Sequence, residues 1–343
     1  MLSGKLWPAH PKPLPDELLS SWIVRIAQAN GIKLQTMTRQ LFGDALTPWN
    51  RDIDRLAPKW LLKAVSEHTG TPYWDAYRTT LTGYRDRLYP RRQSSGQLRW
   101  ILPVKLYGTT RQGYGMQYCP ECLAEDAEPY FRRKWRIGFY TFCTAHMALI
   151  HDACPACDSP VAFHRRDFGH GIDEAGEMCF CHACQFDLRR APHMPVPVHD
   201  REVFALHEEM LRALDKAVSE TGRFDIGFHA VLHQLCKIMV SKPNHDHLRM
   251  YVAKRLGIAT LDVAHGIFPF EQRRVAERHH VLSLALWLMQ EPELRLTDAW
   301  EAKAVRYNTL SKDFKQRPAW FQRLVGKFSD WRKMGSDHEN HRY

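Results

Sequence analysis

Apolar side chains recur at helical spacing through the first 84 residues. The clearest stripe combines aliphatic residues with a tryptophan: Leu18, Leu19, Trp22, Ile23 and Ile26. It predicts a helix that begins near Asp16 and stops at Asn30 and Gly31, and similar patterns predict helices over 33–42, 58–69 and 73–81. Short helices joined by tight turns predict a helix-turn-helix-like bundle over residues 1–84. The stripe with Trp22 either packs inside this bundle or forms a dimer contact.

A second helical region is predicted over residues 191–343. Two stripes at helical spacing indicate it: Leu206, Met210, Leu211 and Leu214, and then Phe228, Val231, Leu232, Leu235 and Ile238. Apolar runs over 281–289, 297–307 and 318–328 predict further helices, so a helical, helix-turn-helix-like C-terminal domain is expected. No run approaches the roughly 18 residues of a membrane helix, and no secretory signal is visible, so we expect a cytoplasmic protein without membrane contact.

Residues 85–118 have no helical period and are expected to form an exposed basic connector. Their cations outnumber the single acid, Asp86: Arg85, Arg87, Arg91, Arg92, Arg99, Lys105 and Arg111. The whole chain has a net charge of +10, and residues 1–118 hold 17 lysines and arginines against 8 acids. Such a surplus indicates an acidic partner such as nucleic acid. The alternative is a solvated loop without a ligand.

Four ligand pairs, each with two residues between its members, follow one another along residues 119–190. They are Cys119 and Cys122, Cys143 and His146, Cys154 and Cys157, and Cys181 and Cys184. Thiolates and imidazoles hold zinc tetrahedrally, and a two-residue gap lets one tight turn present both ligands. In a reducing cytoplasm such pairs favour metal over disulfides. The pattern therefore predicts two structural zinc ions per chain.

The combination of the pairs stays open at this point. Joining neighbouring pairs gives one site with three cysteines and His146 and a second site with four cysteines, whereas an interleaved scheme joins the first pair with the fourth. Cys179 competes with Cys181 as a ligand, although the spacing to Cys184 favours Cys181. Cys236 lies on an apolar stripe and is expected to be a core thiol. Protein ligands fill each site, so no position is left for a catalytic water.

The expected fold class is mainly α with small β zinc-ribbon elements. It comprises the N-terminal bundle, the connector, tandem zinc ribbons over 119–190 and the C-terminal helical domain. The sequence has no phosphate loop, no dinucleotide-binding glycine motif and no HExxH zinc-protease motif. No catalytic residue, no enzymatic activity and no small-molecule substrate are therefore expected.

The segment 130–140 is β-prone and mixes aromatic and cationic residues. As a strand it would place Phe131, Arg133, Trp135 and Ile137 on one face, which favours a core role for part of it. The same mixture is typical of nucleic-acid surfaces. The candidate contacts to nucleic acid or a partner are therefore Arg85, Arg87, Arg91, Arg92, Arg132 and Arg133.

Two segments resemble one known family. The first is Pro15-Asp-Glu-Leu-Leu-Ser-Ser-Trp-Ile-Val-Arg-Ile-Ala27. The second runs from Tyr118 through Pro129-Tyr-Phe-Arg-Arg-Lys-Trp-Arg136 to Cys157. Together they resemble the TniQ/TnsD family of transposon target-selection proteins, over about residues 13–190. The additional Cys179 departs from the family pattern.

The resemblance implies a non-catalytic partner of a transposase machine, built from helix-turn-helix elements and zinc ribbons, which recruits an AAA+ ATPase. Longer members bind an attachment site on DNA directly. Shorter members act in CRISPR-associated transposons, where a TniQ homodimer docks on a Cascade complex at its guide-RNA end. With 343 residues the chain is similar to the short, RNA-guided kind. We therefore expect a bacterial targeting adaptor that reaches target DNA through the complex.

Two rival functions stay in view. Direct, sequence-specific DNA binding in the manner of TnsD is the first, and a shift assay on duplex DNA separates it from the adaptor role. A zinc hydrolase or nuclease is the second and is disfavoured because the ligand sets are complete.

Overall fold

The computed structural model describes residues 6–43, 49, 51–90, 96–104, 113–167, 171, 176–216, 222–241, 247–259, 268–315 and 317–328. The chain divides into two compact units, Met1–Val196 and Pro197–Tyr343. The expected boundaries at residues 84 and 118 would divide the first unit further and stay predictions. The expected start of the C-terminal domain at residue 191 lies close to the division between the units.

The first unit contains short helices and one small ribbon. Its helices are α1 (Leu19–Ala29), α2 (Leu34–Phe42), α3 (Ile53–Leu56), α4 (Lys59–Thr69), α5 (Tyr73–Arg78) and α6 (Pro120–Glu125). Strands β1 (Phe142–Cys143) and β2 (Ala148–Leu149) are antiparallel, with Phe142 opposite Leu149. The mainly helical fold with little sheet confirms the expected fold class.

Helix α1 ends at the position that its sequence predicts. Asn30 ends the helix, and Gly31 follows with a positive φ of 62°, a conformation that costs a residue without a Cβ atom little. The apolar stripe of α1 faces inward, and Trp22 is 0% exposed while its Nε1 donates to the Pro11 carbonyl at 2.8 Å. The burial of Trp22 within its own chain favours the intramolecular alternative over a dimer contact.

Two expectations for the middle of the first unit are wrong. Residues 133–136 form a 3₁₀ turn instead of a strand, although Phe131, Trp135 and Ile137 are buried as expected. The described part of the connector is not an exposed loop either, because Trp100 is fully buried and meets Phe139 edge-on at 5.1 Å. Apolar residues without a helical period can still be core, since irregular backbone has no period.

The second unit is helical throughout its described part. Its helices are α7 (Arg201–Ala213), α8 (Ile226–Met239), α9 (His247–Leu256), α10 (Val275–Gln290), α11 (Pro292–Glu301), α12 (Tyr307–Ser311) and α13 (Ala319–Gly326). Helix α10 is buried on most sides and packs against α7, α8, α9 and α11. Asp200 and Asp225 cap α7 and α8 by accepting from backbone N–H groups, as N-cap residues do.

Two details of the second unit differ from the sequence prediction. The single helix expected over 297–307 is interrupted after Glu301, where Lys303 has a positive φ of 58°. Helix α9 was not predicted because charged residues interrupt its apolar stripe. Among the residues that the structure describes, no helix has both the length and the apolar character that crossing a membrane requires.

Candidate metal centres

The first candidate centre brings together Cys119, Cys122, Cys143 and His146. Nδ1 of His146 lies 3.4 Å from Sγ of Cys119 and 3.5 Å from Sγ of both Cys122 and Cys143. The sulfurs of Cys122 and Cys143 are 3.6 Å apart. One imidazole nitrogen therefore faces three sulfurs at nearly equal distances.

The second candidate centre brings together Cys154, Cys157, Cys181 and Cys184. Sγ of Cys154 lies 3.6 Å from Sγ of Cys184, and Sγ of Cys157 lies 3.7 Å from Sγ of Cys181. In both centres the structure joins neighbouring pairs along the chain, not interleaved ones. Which residues bind metal in solution stays a prediction.

Three of the four ligand pairs each lie in a tight turn, and the three turns are of the same type. In each turn the fourth residue after the leading cysteine donates its backbone N–H to that cysteine's carbonyl, at 2.9–3.0 Å. This residue is Met147, Asp158 or Gln185, and each has a positive φ of 51–63°. The turn brings the two ligands of a pair to one side. The remaining pair differs, because Cys119 precedes α6 and Cys122 lies within it.

The distances fit a tetrahedral zinc ion. Bonds of about 2.3 Å to sulfur and about 2.0 Å to nitrogen separate two sulfurs by about 3.8 Å, and a sulfur from a nitrogen by about 3.5 Å. The observed separations of 3.6–3.7 Å between sulfurs and 3.4–3.5 Å between sulfur and Nδ1 lie close to these values. Both clusters can therefore hold a metal ion, and their donor atoms are those that zinc prefers.

Crowding and burial also shift the pKa values of the ligand thiols. Hydrogen bonding with the thiols of Cys122 and Cys143, together with burial, raises the pKa of Cys119 above its usual range. In the second centre, burial raises the pKa of Cys154 in the same way. Cysteine binds a metal ion as the thiolate, so metal binding at these clusters is coupled to loss of the thiol protons.

Each centre has an outer partner that the sequence analysis missed. Nε2 of His146 lies 3.0 Å from Oε2 of Glu125, and such a carboxylate orients the imidazole of a metal ligand. Beside the second centre, the buried Arg166 donates to Gln185 at 3.0 Å, while its Nε and NH1 have no hydrogen-bond partner among the described residues. Burial lowers the pKa of Arg166, and the nearby Cys179 and Cys181 oppose this shift. Only tertiary packing reveals either partner.

The two remaining cysteines lie outside the centres. Cys179 is buried and its Sγ donates to Oε2 of Glu177 at 3.4 Å, while Cys181 occupies the ligand position. Burial raises the pKa of Cys179 to about 12, so it is a poor nucleophile. Cys236 is fully buried in α8, in agreement with the expected core thiol.

The signature segment at Pro15–Ala27 is a structural junction. Oε2 of Glu17 accepts from the backbone of Leu14 at 2.9 Å and from Arg25 at 2.7 Å, and Ser21 Oγ donates to Oε1 at 2.9 Å. Ser21 Oγ also accepts the backbone N–H of Phe131 at 3.0 Å. The segment therefore joins α1 to the zinc region by buried polar contacts, and it is not open to a substrate.

A second polar network extends this junction. Asp54 accepts from the backbone and hydroxyl of Ser20, both at 2.8 Å, and from NH1 of Arg136 at 3.2 Å. NH2 of the fully buried Arg136 donates to Asp52 at 2.5 Å and to the Leu102 carbonyl at 2.8 Å. Burial raises the pKa of Asp54 to about 6 even though Arg136 opposes the shift. The network ties α3 to the segment that precedes the ribbon.

Three of the six candidate contact arginines are engaged inside the unit. Arg87 is buried, Arg132 pairs with Asp126 at 2.6 Å, and Arg133 pairs with Asp16 at 2.9 Å. These side chains are buried or paired within the unit, and their contact with nucleic acid stays a prediction. Arg85 is exposed beside Asp86. Arg91 and Arg92 lie outside the described residues.

The fold leaves a basic exterior on the first unit. Between residues 6 and 104, the charged residues described as exposed are Lys12, Lys33, Arg39, Arg51, Lys59, Lys63, Arg78, Arg85, Glu67 and Asp86. Acids such as Glu17 and Asp54 are internal and paired with arginines. Cations therefore dominate the outer surface of this part, which we call the basic exterior.

One comparison with known proteins finds a match within the first unit. Residues 8–149 match the family model described as TniQ, which covers the signature segment and the first metal centre. A comparison with curated proteins finds no match. Such a domain suggests a transposition-associated targeting protein. Residues 8–149 of the chain are therefore similar to a TniQ domain.

Proposed function

We propose that the protein is a non-catalytic adaptor for transposition targeting in the bacterial cytoplasm. It docks, as a homodimer, on a CRISPR Cascade complex with its guide RNA and recruits an AAA+ transposition ATPase to the target DNA. The observation that carries this proposal is the TniQ domain over residues 8–149. No small-molecule substrate enters this function.

The geometry of the first unit supports a scaffold role. Each metal centre has four protein ligands, so a zinc ion bound there is structural and has no open position for a reacting water. The signature segment is occupied by its own ion pairs and hydrogen bonds, such as that between Glu17 and Arg25. An adaptor requires a rigid domain whose outer surface is available to bind its partners.

The copurification of an RNA-guided effector tests the adaptor role. The tagged chain is expressed with the genes of its transposon and captured, and the expected result is a complex that contains effector proteins, guide RNA and the ATPase. The matched control omits only the effector genes, which should remove the guide RNA from the captured material. Capture of the chain without any effector would contradict the proposal.

Direct DNA binding in the manner of TnsD is the second candidate, and the basic exterior favours it. A gel-shift assay with the isolated chain distinguishes the two functions, because an adaptor has no sequence-dependent affinity of its own for duplex DNA. Binding at nanomolar concentrations that depends on the DNA sequence would support the TnsD-like function and reject docking on Cascade.

A further inference from the structure

Helix α5 carries a cluster of three aromatic rings, in which Trp74 is exposed and Tyr73 and Tyr77 are half-buried. Trp74 is 66% exposed, the highest fraction among the large apolar side chains described. Its ring centroid lies 5.6 Å from those of both Tyr73 and Tyr77, at interplanar angles of 80° and 84°. Neither tyrosine therefore stacks flat on the indole of Trp74.

Packing of α5 against the rest of the unit does not require aromatic residues on its solvent-facing side. The inward side of α5 is formed by Ala76, which is fully buried, so a polar residue at position 74 would cost no packing. Single exposed apolar residues are common, but the exposed indole of Trp74 adjoins two half-buried tyrosine rings, and a contiguous aromatic patch of this kind marks an interaction site.

A cation completes the exposed face of α5. Trp74, Tyr77 and Arg78 are separated by three and four positions, so they share one face of the helix. The Arg78 side chain is 76% exposed and pairs with Asp75 at 2.7 Å, a surface contact that contributes little energy and yields readily to an anion. Lys59 and Lys63 of the preceding helix α4 belong to the same basic exterior.

We propose that the exposed face of α5, formed by Tyr73, Trp74, Tyr77 and Arg78, binds unpaired RNA. One base stacks on Trp74, and the adjoining phosphate pairs with Arg78. Aromatic rings beside cations are the chemistry that single strands require, because every base has a π-face and every nucleotide a negative charge. The positive charge of the basic exterior favours a negatively charged partner, which a nucleic acid is and a protein surface with few acidic residues is not. The choice of RNA rests on the proposed function, in which the partner complex contains guide RNA.

The test measures binding of a fluorescein-labelled 12-mer oligouridine to the full, zinc-loaded chain by fluorescence anisotropy. Trp74→Ala should weaken binding about five-fold or more, while Trp74→Phe should retain most of the affinity. Arg78→Ala should weaken binding and also reduce the slope of log affinity against log salt by about 0.7, whereas Trp74→Ala leaves this slope unchanged. The control is Phe268→Ala, which removes an exposed aromatic side chain of the second unit and should change nothing.

Several outcomes would overturn the inference. The first is that the unchanged chain does not bind oligouridine. The second is that Trp74→Ala binds oligouridine with the affinity of the unchanged chain. The third is that Trp74→Ala weakens binding of a 12-base-pair RNA duplex as much as it weakens binding of oligouridine. Trp74→Ala could also bind RNA normally and instead lose self-association or a protein partner, which would assign the face to protein docking. Melting temperatures of all variants verify folding, which an exposed side chain should not affect.

The outcome is separable from that of the proposed function. A chain that copurifies with an RNA-guided effector but binds oligouridine independently of Trp74 rejects only this inference. A chain that binds oligouridine through Trp74 but never copurifies with such an effector rejects only the Cascade docking.

Discussion

The first unit groups seven cysteines and a histidine as metal ligands beside buried ion pairs and neutral histidines such as His164, whereas the described part of the second unit holds buried neutral histidines without a metal-ligand cluster. In the first unit, Arg136 is fully buried between two aspartates. In the second, burial lowers the pKa of both His279 and His280 to about 4. Ion pairs also occur there, as between Arg295 and Glu291 at 3.2 Å, but no metal-ligand cluster is found in its described part. The two units should therefore respond differently to metal removal.

Removal of zinc should have the largest effect, and it should be confined to the first unit. A structural zinc ion contributes an apparent binding free energy of about 10–16 kcal/mol in small zinc domains, comparable with the whole stability of a typical domain. Cys143→Ser or a strong chelator should unfold the first unit, while hydrogen exchange detected by mass spectrometry shows α10 still protected.

A matched cysteine variant controls this experiment. Cys179→Ala removes a buried thiol outside both centres, so metal analysis should still find two zinc ions per chain. One zinc ion per chain in the unchanged protein, or a metal-free first unit that stays protected, would contradict the structural role of the centres.

The next largest effect should come from the buried network around Arg136. Arg136→Met leaves the buried Asp54 and the half-buried Asp52 without their cation, and loss of one partner of a buried ion pair typically costs about 3–5 kcal/mol. Urea unfolding of the zinc-loaded chain should show this loss in the first unit. Arg78→Met breaks an exposed ion pair and should cost about 0–1 kcal/mol. Similar costs for both variants would show that the network does not stabilise the unit.

Acid should destabilise the second unit through its buried histidines. The folded-state pKa of His279 is about 4 and its unfolded value is 6.5, so the unfolded state binds more protons between these values. The neutral-histidine contribution is fully present above pH 6.5 and is lost as the pH falls toward 4. The difference corresponds to about 3 kcal/mol at most.

The variant His279→Gln tests the assignment of this pH dependence. It should flatten the fall of the second unit's free energy of unfolding between pH 6.5 and 4, while an amide N–H can still donate to the Pro197 carbonyl, which Nε2 of His279 meets at 3.2 Å. His247→Asn changes an exposed histidine and should leave the slope as it is. If His279→Gln leaves the dependence of the unfolding free energy on pH unchanged, groups other than His279 cause that dependence.

The smallest effect is expected at Glu125, the outer partner of the first centre. Glu125→Gln should lower the zinc affinity of this centre about 10- to 100-fold, since the carboxylate that orients His146 is lost. Competition with a chromophoric chelator measures this change, and the free energy of unfolding at saturating zinc should stay nearly constant. Glu67→Gln, an exposed change on α4, is the control. Equal affinities for the two variants would remove Glu125 from the metal site.

The sequence by itself determined the features that depend on neighbours along the chain. Helical spacing located α1, α4 and α8, because an amphipathic stripe needs only a local period. The ligand pairs were visible for the same reason, since one tight turn presents both members of a pair. Irregular stretches were harder to predict, because the burial of Trp100 follows no period.

Only the tertiary structure decided which distant residues meet. Arg136 and Asp54 are 82 positions apart, and no local pattern connects them. Burial of both side chains makes their pairing necessary, since an isolated buried charge is far more costly than a paired one. The same packing placed Cys181 in the second centre, as its spacing predicts, buried Arg87 and paired Arg132 and Arg133 with acids of the same unit. It also left Trp74 exposed to solvent, because burial depends on contacts between elements and not on residue type alone.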